Sequence, residues 1–390
     1  MRIAYTDEQE ALRQELTAYY DELLTDEIRD QLHAEMGCGP VTRDVVKQMA
    51  RDGWLGIGWP EEYGGRGRPQ IEQFIFYDES MRAGAPIPRL TVNTVGPTIM
   101  QFGTEEQKNF YLPKILKGEI AFSIGYSEPE AGTDLASLKC RADLDGDVYV
   151  INGQKMWTSL ASDADYCWLA VRTDQDAPKH KGISMIIVDL KNTPGITIEP
   201  LSLTSSHDIN AVYYDDVRVP AENIVGGLNK GWSLITNQLN HERVTLCSSG
   251  LLEQSYQETV RFAADNKLGD GRRVIDQEWV QINLARVRSG LDFLRLINWK
   301  VASSDHLDIS DASTIKVFGT EFYLESFRLL MEVLGPRAYL HRNSPGEVLR
   351  GRMEMNFRSL LILTFGGGTN EIQRDLIAMF GLGLPRSLRG

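Results

Sequence analysis

The hydrophobic pattern of this 390-residue chain changes period twice, and those two changes limit the folds open to it. From Asp7 to about Met36 the apolar residues Leu12, Leu16, Tyr19, Tyr20 and Leu23 recur at intervals of three and four, which predicts one long amphipathic helix opened by an Asp cap. A second helix follows Thr42. The stretch from Trp54 to Gly65 breaks into a glycine-rich turn, and another helix begins near Gln70. Thr104-Glu105-Glu106-Gln107 has the spacing of a capping box and opens one more. At Ala121 the pattern becomes that of strands: Asp147-Val148-Tyr149-Val150-Ile151 after an Asp145-Gly146 turn, then Tyr166 to Val171, Ile183 to Val188 and Ala211 to Tyr214. After Gly231 the helical period returns, interrupted at 267–276 and 339–346.

This order divides the chain into a helical domain (1–120), a β domain (121–230) and a second helical domain (231–390). Strands with no helices between them imply a small antiparallel barrel or sandwich. The length is too great for one core and leaves room to bury a large cofactor. A net charge of −13 with no basic run argues against nucleic acid as a partner. No segment approaches the roughly 20 apolar residues of a membrane span, and the acidic start does not read as a signal peptide, so the cytosol is the expected compartment. Cys38, Cys140, Cys167 and Cys247 have no CxxC spacing, and the six histidines form no HExxH and no pair at helical ligand spacing, so neither a disulfide framework nor a metal site is expected.

Six segments stand in a telling order. They are Trp59-Pro60-Glu61-Glu62-Tyr63-Gly64-Gly65, Tyr126-Ser127-Glu128-Pro129-Glu130-Ala131-Gly132-Thr133-Asp134, Asn152-Gly153-Gln154-Lys155-Met156-Trp157, Val217-Arg218-Val219-Pro220, Glu242-Arg243, and Gly368-Thr369-Asn370-Glu371-Ile372-Gln373-Arg374. With them the chain resembles the acyl-CoA dehydrogenases over essentially its whole length. The resemblance implies a mainly α fold with a central β domain: an N-terminal helical domain, an antiparallel β barrel and a C-terminal four-helix bundle. It also implies FAD as cofactor, an acyl-CoA substrate and an electron-transfer flavoprotein as acceptor.

Removing the weakly acidic α-proton of a thioester needs a fixed base, hydrogen-bond donors at the carbonyl oxygen and a hydride acceptor at the β-carbon. By resemblance, Tyr126, Ser127, Gly132 and Thr133 line the flavin, with Thr133 also on the substrate side. Trp157, Thr158 and Ser159 cover it, and Thr369 and Glu371 meet its nucleotide half. Taken alone, the hydroxyl residues among these read as turn and strand-end residues satisfying local backbone. Common family members carry the catalytic Glu in an aromatic-Glu-Gly-Thr segment. Here that position is Gly367, which cannot take a proton. Members with Gly or Ala there keep a Glu one residue before an Arg on an earlier helix, and Glu242 followed by Arg243 matches them. Asn240 and Arg243 match residues that hold the pantetheine arm and CoA. The resemblance also implies that the backbone N–H at Gly367 holds the thioester carbonyl, a donor that survives loss of the side chain, and the glycines of 366–368 leave room for a bulky acyl group.

The resemblance weakens at Asn266 to Glu278, where homotetrameric members carry Arg-x-x-x-Phe-Gly for the FAD of a neighbouring subunit, and at Glu332 to Pro336. Arg272 or Arg273 could substitute for the missing arginine. With Glu242 and Gly367, these gaps resemble the bacterial steroid-CoA dehydrogenases, which assemble as α2β2 tetramers and oxidise cholesterol-type side chains; a homotetramer is the alternative. Two other functions compete: a non-catalytic subunit that completes another chain's flavin site, and a flavin monooxygenase on the same fold.

Overall fold

The computed structural model describes residues 3–204, 208–304 and 308–386, with the side chains of 239–246 outside the described residues. The expected first helix is two helices, α1 (Asp7–Leu23) and α2 (Asp26–Glu35). Thr6, not Asp7, caps α1 through a capping box with Gln9, and Thr25 stops the run by capping α2. Then come α3 (Pro40–Arg51), α4 (Gln70–Ala83), a π-helical turn (Leu90–Val95), α5 (Gly96–Phe102) and α6 (Glu105–Leu116). Thr104 and Gln107 form the expected capping box on α6.

Among the described residues the middle of the chain is one sheet of eight strands: β1 (Phe122–Gly125), β2 (Arg141–Asp145), β3 (Val148–Ser159), β4 (Tyr166–Arg172), β5 (Ile183–Asp189), β6 (Ile196–Pro200), β7 (Ile209–Pro220) and β8 (Ile224–Val225). Its strands pair antiparallel except that β1 and β2 each run parallel to β4. β4 and β5 are buried on both faces, so their alternate side chains feed two cores. Trp168, Ala170, Ile183, Met185 and Ile187 join the N-terminal helices, whereas Cys167, Leu169, Val171, Ile186 and Val188 pack inside the β domain.

The last part holds α7 (Gly231–Leu246), α8 (Ser249–Asp265), α9 (Glu278–Ala302), α10 (Ile309–Leu334), α11 (Arg352–Leu360) and α12 (Asn370–Leu376). Leu252, Val287, Leu291, Leu294, Ile315, Phe327 and Leu330 form a third core there. The start of α7 belongs instead to the first core through Leu234 and Ile235. Among the described residues no helix is long and apolar enough to cross a membrane.

Candidate active site

The site begins at an irregularity in β3. Its pairing with β7 shifts register between Lys155 and Thr158, and in that bulge Trp157 takes a left-handed φ of 63°. The indole is thereby turned out of the sheet and is 53% exposed. The backbone N–H of Met156 donates to the Ser127 carbonyl at 2.9 Å, which ties the bulge to the loop following β1. Glu128 and Ala131 exchange two backbone hydrogen bonds and fold that loop on itself.

Underneath lies Lys155, fully buried, whose Nζ donates to the Tyr126 carbonyl at 3.0 Å and to Glu128 Oε1 at 2.8 Å. The Glu128 carboxylate also accepts the backbone N–H groups of Lys139 at 2.6 Å and Cys140 at 2.9 Å. A buried ion pair offsets its desolvation only when its remaining lone pairs are satisfied, and both Glu128 oxygens are. Lys155 and Glu128 lie inside the quoted motifs, yet nothing in the sequence marks them as the foundation of this rim; lysine and glutamate are surface residues by default.

Tyr126 and Ser127 border this buried pair, Gly132 and Thr133 continue the same loop, and Trp157 and Ser159 lie at the end of β3. Gly132 and Thr133 are exposed, while Ser127 and Ser159 are half-buried. No hydrogen bond within the described residues engages the hydroxyls of Ser127, Thr133 or Ser159. Thr158 points the other way: it is 1% exposed, its carbonyl accepts Asn210 Nδ2 at 3.3 Å, and its buried hydroxyl has no partner among the described residues. Tyr126 links three elements, since its hydroxyl accepts Trp168 Nε1 at 3.2 Å and donates to Gln238 Oε1 on α7.

Several contacts fix α7. Gly231 lies so close to Ser184 that a Cβ would meet its carbonyl carbon at 2.8 Å, and Asn237 Nδ2 donates to Gln101 Oε1 at 2.9 Å. Ile235 and Gln238 are buried. At about 100° per residue, position 242 falls within about 20° of Ile235 and 40° of Gln238 around the helix. The side chains of Asn240, Glu242 and Arg243 lie outside the described residues.

The glycine turn precedes α12. Gly367 and Gly368 have φ of 70° and 94°, a backbone that residues with a Cβ adopt at a cost of roughly 1 to 2 kcal/mol. The Thr369 hydroxyl accepts the Ile372 N–H at 3.3 Å and caps α12. Glu371 is exposed, and its carboxyl is held below the usual range by its own backbone N–H and the Thr369 hydroxyl. A second fully buried lysine, Lys316 of α10, supports this turn: its Nζ donates to the carbonyls of Thr364 at 3.0 Å and Gly368 at 2.7 Å and to Asn370 Oδ1 at 2.7 Å. Arg272 and Arg273 are exposed and paired locally, with Asp270 at 2.7 Å and Asp276 at 2.8 Å.

Models of the acyl-CoA dehydrogenase N-terminal, middle and C-terminal domains match residues 6–119, 123–217 and 229–382. The chain belongs to the acyl-CoA dehydrogenase family. Members are oxidoreductases that act on the CH–CH bond of an acyl-CoA and depend on FAD. This acyl-CoA dehydrogenase is 54% identical over 401 residues to acyl-CoA dehydrogenase FadE26 of Mycobacterium tuberculosis, covering all of both chains. It matches a chain of the ChsE4-ChsE5 complex from the same organism with a TM-score of 0.94 and 55% identity, over 99% of this chain and 100% of that one. A chain of the Tcur3481-Tcur3483 steroid ACAD matches with a TM-score of 0.94 and 47% identity, over 99% and 100%.

The β-domain rim of this acyl-CoA dehydrogenase suits a flavin. An exposed indole supplies an apolar face, and hydroxyls with no partner among the described residues supply hydrogen bonds for a polar edge. Ser127, Thr133, Trp157 and Ser159 would hold the ring system there.

Proposed function

We propose that the protein desaturates the Cα–Cβ bond of an acyl-CoA with a bulky, steroid side-chain acyl group, giving the trans-2-enoyl-CoA, with Glu242 as base. The observation that carries this reading is the empty position at Gly367 together with the register of α7, which sets residue 242 one turn beyond Gln238, the side chain that receives the Tyr126 hydroxyl of the flavin-side rim. FAD supplies the hydride acceptor when bound. Glu242 takes the α-proton, and the Gly367 N–H, fixed by its left-handed turn, donates to the thioester carbonyl where enolate charge develops. Asn240 and Arg243, on the same helix, bind the pantetheine arm and CoA, and the nucleotide half of the cofactor meets Thr369 and Glu371.

The steroid assignment is supported by the likeness to the steroid ACAD and by the glycine at 367, which leaves no side chain beside the proposed thioester site. The likeness to chains of two-component complexes supports an α2β2 assembly with a non-identical partner, in which Arg272 and Arg273 are already occupied by Asp270 and Asp276. The three domains divide at 120 and 230, electrons leave to an electron-transfer flavoprotein, and the enzyme is cytosolic. The test is anaerobic. The assembled yellow complex bleaches on adding a steroid side-chain acyl-CoA, and Glu242→Gln retains FAD and substrate binding but loses bleaching. Bleaching retained in that variant removes Glu242 from the role and favours the non-catalytic subunit.

A further inference from the structure

Base and oxyanion donor sit on different elements in the reading above, α7 and the 364–369 turn, so something must hold the two in register. The chain ending α7 is clamped at Cys247 to Gly250 by buried groups from three other helices. Asn298 Nδ2 of α9 donates to the Cys247 carbonyl at 2.9 Å. Asp78 of α4 accepts the Ser248 hydroxyl at 2.7 Å, the Ser249 hydroxyl at 3.0 Å and the Gly250 N–H at 3.0 Å. The Tyr323 hydroxyl of α10 donates to the Ser248 carbonyl. One turn back on α10, Gly319 packs so closely on Cys247 that an added Cβ would lie 2.5 Å from its Cβ.

Lys316, Gly319, Thr320 and Tyr323 follow the three- and four-residue spacing of one helical face, and all four are buried. The lysine end of that face holds the glycine turn through Thr364, Gly368 and Asn370, with Thr320 accepting Asn370 Nδ2 at 3.0 Å. The tyrosine end holds the close of α7. We infer that this face of α10 is the positioning element of the divided site, setting the Gly367 N–H against the helix that carries the base. The inference rests on the assignment of Glu242. A shift of about 1 Å between two such groups is enough to cost 100-fold in rate.

Two substitutions at the α7 end test it in the assembled holoenzyme. Tyr323→Phe removes only the hydroxyl, and Gly319→Ala pushes Cys247 away. The readout is α-proton exchange with D2O in a 3-thia-acyl-CoA, whose β-sulfur blocks hydride loss, alongside kcat, KM, FAD content and affinity for the analogue. Each substitution is expected to lower exchange and kcat together by tenfold or more, with FAD content unchanged and KM within about threefold. The double substitution Gly319→Ala with Cys247→Gly, which makes room for the new methyl, restores exchange. Wild-type exchange in both single variants, with Glu242→Gln inactive, overturns the inference and leaves the function standing. Loss of FAD or of analogue binding with unchanged exchange per bound analogue also overturns it, since the face would then be structural only. Exchange persisting in Glu242→Gln overturns the base assignment and the inference with it.

Discussion

Two loops in this molecule are held from below by a fully buried lysine, and they are held differently. Lys155 joins a loop carbonyl to a carboxylate of the same loop, so the β-domain rim is braced within some 30 residues of chain. Lys316 gathers two carbonyls and an amide of the glycine turn from a helix about 50 residues away, and its own helix is tied to α7 and, through Ser248, to Asp78. The rim is thus a locally built platform that presents surface groups. The turn is a long-range assembly whose geometry depends on four helices.

The largest effect that could break this comparison is expected at Lys155. Lys155→Met leaves Glu128 charged and buried without its cation and should destabilise the protein by about 3 to 5 kcal/mol, measured by urea denaturation; a loss below about 1 kcal/mol would show that the rim is braced some other way. Asp78→Ala comes next, because it removes the acceptor of two buried hydroxyls, one of the two acceptors of the Gly250 N–H at the start of α8, and a partner of Arg82. The expected loss is about 1 to 3 kcal/mol, with Asp78→Asn recovering part of it in the same assay.

The thiols sharpen the contrast by pH. Burial pushes Cys140, beside the rim, up to about 11 despite Lys155, and Cys247, at the close of α7, up to about 12 despite Lys316. A group whose folded pKa is raised stabilises the fold in full below its unfolded value near 8.5, and that contribution fades as pH climbs through the folded value. Stability should therefore hold to about pH 9 and fall toward 11 and 12, and Cys140→Ala should blunt the earlier part of the fall in denaturation curves. The smallest stability change belongs to Trp157→Ala. Its half-exposed indole contributes within about 0.5 kcal/mol to folding, whereas FAD retention during gel filtration should drop severalfold if the rim holds the flavin.

Much of the rim was legible in the sequence because its pieces are close in sequence and chemically distinctive. The run Trp157-Thr158-Ser159 announced an aromatic beside hydroxyls, although the bulge in β3 divides it: Trp157 is exposed, Ser159 is half-buried, and Thr158 turns into the interior. The bulge that inverts Trp157 has no sequence mark. Gly367 was conspicuous as a missing carboxylate, yet the residue that holds its turn was not, since a lysine on a long helix reads as solvent-facing until the partners that bury it are known. Thr25 and Gln9 misled in the opposite sense: the apolar period ran past a cap whose local chemistry was in plain view.

Periodicity and motif order by themselves determined the succession of helical, β and helical regions, the family and the vacancy at 367, because these depend on neighbours along the chain. Tertiary structure alone decided that β1 and β2 run parallel to β4, that Lys155 and Lys316 are buried, and that one face of α10 touches both the glycine turn and the close of α7. Those facts depend on which distant groups meet once water is excluded, and a buried charge takes its place only where enough oxygens converge to replace its hydration.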